Sequence, residues 1–258
     1  MKFFLIIILF ISVIEKTFTQ VITEKQIENE LINSYKKILD CRFGDTFEWD
    51  SLEHLNKKFS NSIKEYTWKY SNTIDSKFDS LKSKYIYIVD SDDKLFRIYS
   101  WDTWLGGTMH DYRNIFQYKS GANVFTKFNN DSINYVEDIY IPYYSEVYTL
   151  QSKNKTYYLA ISNGIYSTKD LGQSIKIFTI ENKQLVDTVK LIKTKNGFIN
   201  SIDIFYDLFK NDIKDYKLIK YDKEKKIIYI PVIYENGKIT NRFILYKYTG
   251  EYFENIKK

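Results

Sequence analysis

From Lys84 onward the chain is a succession of short β-prone runs separated by turn residues, and this constrains the fold more than any other feature. "KYIYIVDSDDKLFRIYSW" holds two such runs around Asp-Ser-Asp-Asp-Lys, whose short polar side chains favour turns. "FQYKSGANVFTKF" repeats the pattern around Ser120-Gly121. "SEVYTLQSKNKTYYLAIS", "SIKIFTIENKQLVDTVKLI" and "FINSIDIFYDL" follow. The last unit, "KKIIYIPVIYENGKITNRFILYKYTGEYFE", turns at Glu235-Asn236-Gly237, where Asn-Gly accepts positive φ. Parallel strands need long crossovers, and no helical pattern separates these runs. The expected fold is therefore mainly β, an antiparallel meander arranged as a partial propeller, a barrel or a twisted sandwich. Runs near residues 84, 146, 173 and 226 recur at roughly thirty to fifty residues, a spacing propeller blades share, but no residue signature repeats with them.

The segment before Lys84 has helical periodicity instead. "TEKQIENELINSYKKILD" brings Ile27, Leu31, Ser34, Tyr35 and Ile38 to one face, with Thr23 as N-cap and Gln26 as its capping-box partner. A second helix is expected from Asp50, with Glu53 in the capping-box position and Leu52, Leu55, Phe59, Ile63 and Tyr66 along one side. These helices, within about residues 23–68, form a preface whose apolar stripes must pack on the β portion.

At the N-terminus, Lys2, the apolar run Phe3 to Ile14 and Thr17-x-Thr19 together read as a cleaved secretory signal, residues 1–19. The apolar run is well short of the roughly 20 residues that a spanning helix needs. The expected mature chain, residues 20–258, is one β-rich domain without a transmembrane segment, exported to the periplasm or secreted. Cys41 has no second cysteine to pair with. Its place beside an apolar helix face suits a small buried hydrophobe.

The chain has 38 Lys plus Arg against 33 Asp plus Glu, and the signal's removal leaves a net +4. The lysines are scattered among acids rather than gathered in a patch, which argues against a nucleic-acid partner. The aromatic content of 18% is mostly Tyr and suits half-wet sheet faces before any sugar platform is invoked.

One stretch concentrates unusual residues: "FRIYSWDTWLGGTMHDYRN", Phe96 to Asn114. Strand alternation puts Phe96, Ile98 and Ser100 on one face and Arg97, Tyr99 and Trp101 on the other. Arginine is scarce, occurring at 42, 97, 113 and 242, so Arg97 suggests a bidentate or stacked contact, with Asp102 and Asp111 as natural partners. Two readings stay open. In one, an Arg-Asp clamp braces the turn and Gly106-Gly107 only shapes it. In the other, Arg97, Trp101, Asp102, Trp104, His110 and Asp111 line a groove for a small polar, glycan or protein ligand.

The inventory limits enzyme chemistry. With only His54 and His110, a His-rich metal site is ruled out. No GxSxG frames a serine, no phosphate-loop pattern includes Gly106-Gly107, and Asp90 to Asp93 lacks the spacing and closing Glu of a calcium loop. No cofactor is expected. The preferred reading is a non-catalytic binding or envelope-associated protein; the alternative is a hydrolase using His110 with Asp102 or Asp111. Gly164 is expected in a turn, and "DLGQSIKIF" as a loop feeding a strand, with Gln173 or Ser174 directed at the same groove. Asn130-Asp-Ser132 and Asn154-Lys-Thr156 are glycosylation sequons, relevant only in a eukaryotic cell.

The Arg-Ile-Tyr-Ser-Trp-Asp-Thr run from Arg97, the Gly-Gly-Thr-Met turn at Gly106 and the later Gly-Gln-Ser-Ile strand at Gly172 resemble those of a group of uncharacterised exported proteins of Gram-negative bacteria. The resemblance covers most of the mature chain. It implies a periplasmic or secreted β-rich protein and carries over no catalytic residue.

Overall fold

The computed structural model describes residues 22–128, 141–212 and 217–256. The expected signal segment and the sequon at Asn130 lie outside the described residues. Helix α1, Glu24–Phe43, starts as expected: the Thr23 side chain accepts from the Gln26 N–H, and the Gln26 side chain accepts from the Thr23 N–H. Helix α2, Trp49–Lys69, starts earlier than the sequence suggested. Its N-cap is Glu48, without a side-chain capping bond, so the box expected at Asp50 and Glu53 is not formed. A 3-10 turn, Ser71–Ile74, and a short helix α3, Asp79–Lys84, complete the preface.

Strands β1 (Tyr87–Asp90), β2 (Phe96–Asp102), β3 (Tyr112–Ser120) and β4 (Asn123–Phe128) form a first sheet in chain order. A second sheet joins β5 (Tyr143–Gln151), β6 (Thr156–Ile165), β7 (Asp170–Glu181) and β11 (Ser201–Asp207), with β8 (Gln184–Val186) added to β7. The third runs in the order β10 (Gly197–Ile199), β9 (Ile192–Thr194), β15 (Phe253–Asn255), β14 (Ile239–Tyr248), β13 (Ile227–Ile233), β12 (Lys220–Asp222). Among the described residues all strand pairings are antiparallel except β9 with β15. The fold is mainly β with an N-terminal helical region, as expected. No helix among the described residues is long and apolar enough to cross a membrane.

Three apolar seams hold the layers together. Ile27, Leu31, Tyr35, Leu52, Phe59 and Ile63 of the helices pack on Ile88, Tyr99, Trp101 and Ile115 of the first sheet. The other face of that sheet, with Phe96, Ile98 and Phe116, meets Tyr144, Val147, Tyr158, Ala160 and Phe178 of the second. On its far face the second sheet packs Leu159, Ile161, Ile175 and Ile177 against Ile192, Ile228, Ile230 and Phe253 of the third. Strand β2 lies between two seams, and all seven of its residues are buried.

Two turn assignments change. Gly164 is inside β6, opposite Gly172 in β7, and Asp170 to Phe178 is strand throughout rather than a loop feeding one. The Asn236-Gly237 turn forms with only Gly237 at positive φ (83°), and Tyr234 and Lys238 close the hairpin. Cys41 is half-buried at the edge of the helical seam.

Candidate functional site

The loop between β2 and β3 is built on Asp102 and Thr103. Asp102 Oδ1 accepts from the backbone N–H of Trp104, which holds Trp104 in the left-handed region at φ 56°. The backbone and side chain of Thr103 both donate to the Asp111 carbonyl, at 2.9 and 2.8 Å, and close the loop's neck. Gly106 is required for close approach rather than positive φ: a Cβ there would lie 1.8 Å from the Met109 carbonyl oxygen, whereas one at Gly107 meets nothing. Asn56 of α2 donates to the Thr103 carbonyl at 2.8 Å, and Tyr35 of α1 donates to the Asp102 carbonyl at 2.9 Å, so the helical layer anchors the loop from below.

The expected groove residues separate into two groups. Arg97 and Trp101 share the face of β2 that meets the helices and are 4% and 0% exposed. Arg97 pairs bidentately with Asp90, its cross-strand neighbour on β1, at 2.5 and 3.2 Å, and donates to the carbonyls of Thr73 and Ser76. Neither Asp102 nor Asp111 is its partner. The Trp101 ring packs edge-on against Phe59, with centroids 5.2 Å apart. These two residues belong to the core, because the helices cover the face expected to be wet. Asp111 is held at the loop neck by Arg113 at 3.0 Å; burial, opposed by Arg113 and reinforced by Asp102, pushes its carboxyl upward.

Asp102, Trp104 and His110 do come together. His110 Nδ1 and Asp102 Oδ2 are 2.5 Å apart, and the His110 N–H donates to the Ile165 carbonyl of β6 at 3.0 Å. The imidazole stacks on Tyr112 and meets Trp104 edge-on, while Trp104 Nε1 donates to the Tyr35 hydroxyl at 3.1 Å. Tyr112, Tyr143 and Tyr87 continue the aromatic array, with Tyr87 and Tyr143 stacked at 4.1 Å. Burial first, then the Asp102 charge, pushes the Tyr112 phenol up, so it stays neutral beside the pair.

His110 lines a cavity of about 490 Å³ between its loop and the end of the second sheet, with Thr108, Tyr143, Asn163, Leu171 and Tyr206 around it. Asn163 is fixed on both sides: its amide donates to Ser145 Oγ at 2.8 Å and its carbonyl accepts from Gln173 Nε2 at 2.7 Å. Gln173 therefore orients a cavity residue, while Ser174 belongs to the opposite face of the sheet.

No family model matches the chain, and neither the curated proteins nor the solved structures compared with it give a match.

The site's chemistry follows from its donors. When Nδ1–H is directed at a carboxylate, a neutral imidazole keeps its lone pair on Nε2, and protonation turns Nε2 into a donor. Among the described residues no side chain bonds Nε2, and no cluster of His, Cys, Asp and Glu forms a metal site. Tyr143, Asn163 and Tyr206 were not singled out from the sequence. They reach the cavity through strand ends, and the useful signal is the Ser162-Asn163 pair, polar residues that interrupt an apolar run.

Proposed function

We propose that this chain is an exported binding protein that takes a small polar ligand into the cavity beside His110. One observation carries the reading: an imidazole held by a carboxylate opens into a concave space walled by Tyr143 and Tyr206, with a fixed amide at Asn163. A few oriented polar groups within largely apolar walls is the usual makeup of a small-molecule site. The reading of export rests on the apolar run Phe3 to Ile14 behind Lys2, which has the makeup of a secretory signal.

A thermal-shift screen of monosaccharides, amino acids and small organic acids tests this, because a ligand of the native state stabilises it by about 2.7 kcal/mol at a hundredfold excess over Kd. A shift that disappears in His110→Ala and in Asn163→Ala is expected. A screen in which nothing shifts, or a shift that survives both substitutions, overturns the assignment. The Nδ1 contact with Asp102 also supports a second reading as a hydrolase. There Nε2 would take a proton from the attacking water and return it to the leaving group of an ester or amide. Product release lost in His110→Gln and in Asp102→Asn would select that reading.

A further inference from the structure

The second sheet has another open surface. Alternation along β6 and β7 directs Asn163 and Leu171 to the His110 cavity and Ser162 and Ser174 to the other face, while Gly164 and Gly172, without side chains, line both. On that other face Tyr158, Ala160 and Phe178 are covered by the first sheet. Toward the β6–β7 turn the cover ends, and a cleft of about 300 Å³ remains.

The register lays out its floor in rows. Ser162, Ser174 and Asp203 are neighbours across β6, β7 and β11, and the next row is Gly164, Gly172 and Phe205. The first row offers hydroxyls and a carboxylate. The second has almost no side chain on two strands, and Tyr166 occupies the space: a Cβ at Gly164 would lie 2.6 Å from the Tyr166 ring, and one at Gly172 would lie 2.7 Å from it. Glycine weakens a strand and marks a close approach to it. Here the approaching group is an aromatic ring laid over the sheet.

Tyr166 and Phe205, with ring centroids 5.6 Å apart, also wall a neighbouring cavity of about 430 Å³ that passes the β11 edge and reaches Tyr234 and the Gly237 turn. Phe205 and Tyr234 are 61% and 52% exposed. Two of the lysines along this path are matched by acids, Lys176 with Asp187 at 2.9 Å and Lys210 with Asp207 at 3.7 Å. A polyanion is held by cations that replace its counterions, and a lipid surface needs a continuous apolar face. Aromatic rings beside a row of hydrogen-bonding groups, with Lys169, Lys176 and Lys210 interspersed among Asp170, Asp203, Asp207 and Glu235, suit neither. They suit a neutral polyhydroxyl chain, whose C–H faces cover the rings while its hydroxyls reach the polar row.

We propose that this cleft is a second ligand site, which meets the His110 cavity only at Gly164 and Gly172, and that it binds a neutral oligosaccharide lying across β6, β7 and β11 toward Tyr234. With strands about 5 Å apart, the path accommodates about three sugar rings. Calorimetric titration with neutral glucose and N-acetylglucosamine oligomers of increasing length tests it. Affinity is expected to rise up to the trimer and then level off. Phe205→Ala and Tyr234→Ala should each weaken trimer binding by roughly 5- to 30-fold, with little change in melting temperature, and His110→Ala should leave it unchanged. No binding of any oligomer, affinity indifferent to length, or both aromatic variants behaving as the parent overturns the proposal. Binding of a single sugar that is lost in His110→Ala and unaffected by Phe205→Ala would leave the His110 assignment standing alone. Trimer binding lost in Phe205→Ala, with no ligand for His110, would do the reverse.

Discussion

Replacing Arg97 by Met should be among the most damaging single changes in the chain. The guanidinium is 4% exposed and holds Asp90 through two contacts. It also donates to the Thr73 and Ser76 carbonyls at 2.8 and 2.6 Å, which fastens the 3-10 turn to the first sheet. Methionine fills much of the volume but leaves Asp90, whose side chain is 17% exposed, with only Lys94 at 3.5 Å, the Thr73 carbonyl with only the Tyr99 hydroxyl, and the Ser76 carbonyl without its side-chain donor. Removing one member of a buried pair costs about 3–5 kcal/mol. For a chain of this size the melting temperature should fall by roughly 6–20 °C. The pH dependence gives a second signature. Burial pushes the Asp90 carboxyl up, but Arg97 and, more weakly, Lys94 overcome this and hold it below the usual carboxylate range. A carboxyl depressed in the folded state contributes stability above its unfolded value of about 3.9, and that contribution is lost as pH falls through the folded value. Urea unfolding at neutral and acidic pH should show this loss in the parent and little of it in Arg97→Met. Adding Asp90→Leu to Arg97→Met should restore part of the lost stability, because the stranded charge is removed. A loss below about 1 kcal/mol, with the acid dependence intact, would place the pair with exposed salt bridges and refute the reasoning.

The glycine pair of the site loop should separate cleanly. Gly106→Ala drives a Cβ into the Met109 carbonyl and is expected to cost roughly 1–3 kcal/mol, whereas Gly107→Ala meets open space and should stay within about 0.5 kcal/mol, both read by urea denaturation. Burial, partly opposed by Arg97, pushes the Tyr99 phenol up to about 12. A phenol raised in the folded state contributes stability below its unfolded value of about 10, and the contribution is lost as pH rises toward the folded value. Absorbance titration should therefore show Tyr99→Phe removing a late-ionising phenol, with less stability lost between pH 10 and 12 than in the parent.

Local patterns were legible where a short segment decides its own conformation. Thr23 and Gln26 announce α1, and alternation assigned every side chain of Phe96 to Trp101 to the face it occupies. The errors came from long-range coverage. The sequence offers Arg97 the aspartates that follow it, Asp102 and Asp111, although counting residues back across the Asp-Ser-Asp-Asp turn brings Asp90 opposite it. Trp101 was expected at a wet surface because one sheet face was assumed open. Yet the apolar stripes of α1 and α2 already required a covering partner, and that face is the partner. The sequence suggests a turn at Gly164, while the role of Gly164 and Gly172 is set by the ring of Tyr166, the first residue past the end of β6. The pairing of β9 with β15 joins segments about sixty residues apart and leaves no local trace.

The route of the chain between the second and third sheets gives the molecule a grain. It leaves β8 of the second for β9 and β10 of the third, returns to β11, and then departs for β12 to β15. Two sheets laced in this way share their ladders' fate, so hydrogen exchange should find them opening as one block. The helical layer and first sheet form the other block, and the Phe96 to Phe178 seam is the cleavage plane between them. The His110 cavity straddles this plane, with its imidazole on one side and Asn163 on the other. A molecule bound there would act as a clasp across the halves, whereas one resting on Tyr166 and Phe205 would touch the laced block without fastening it to the other.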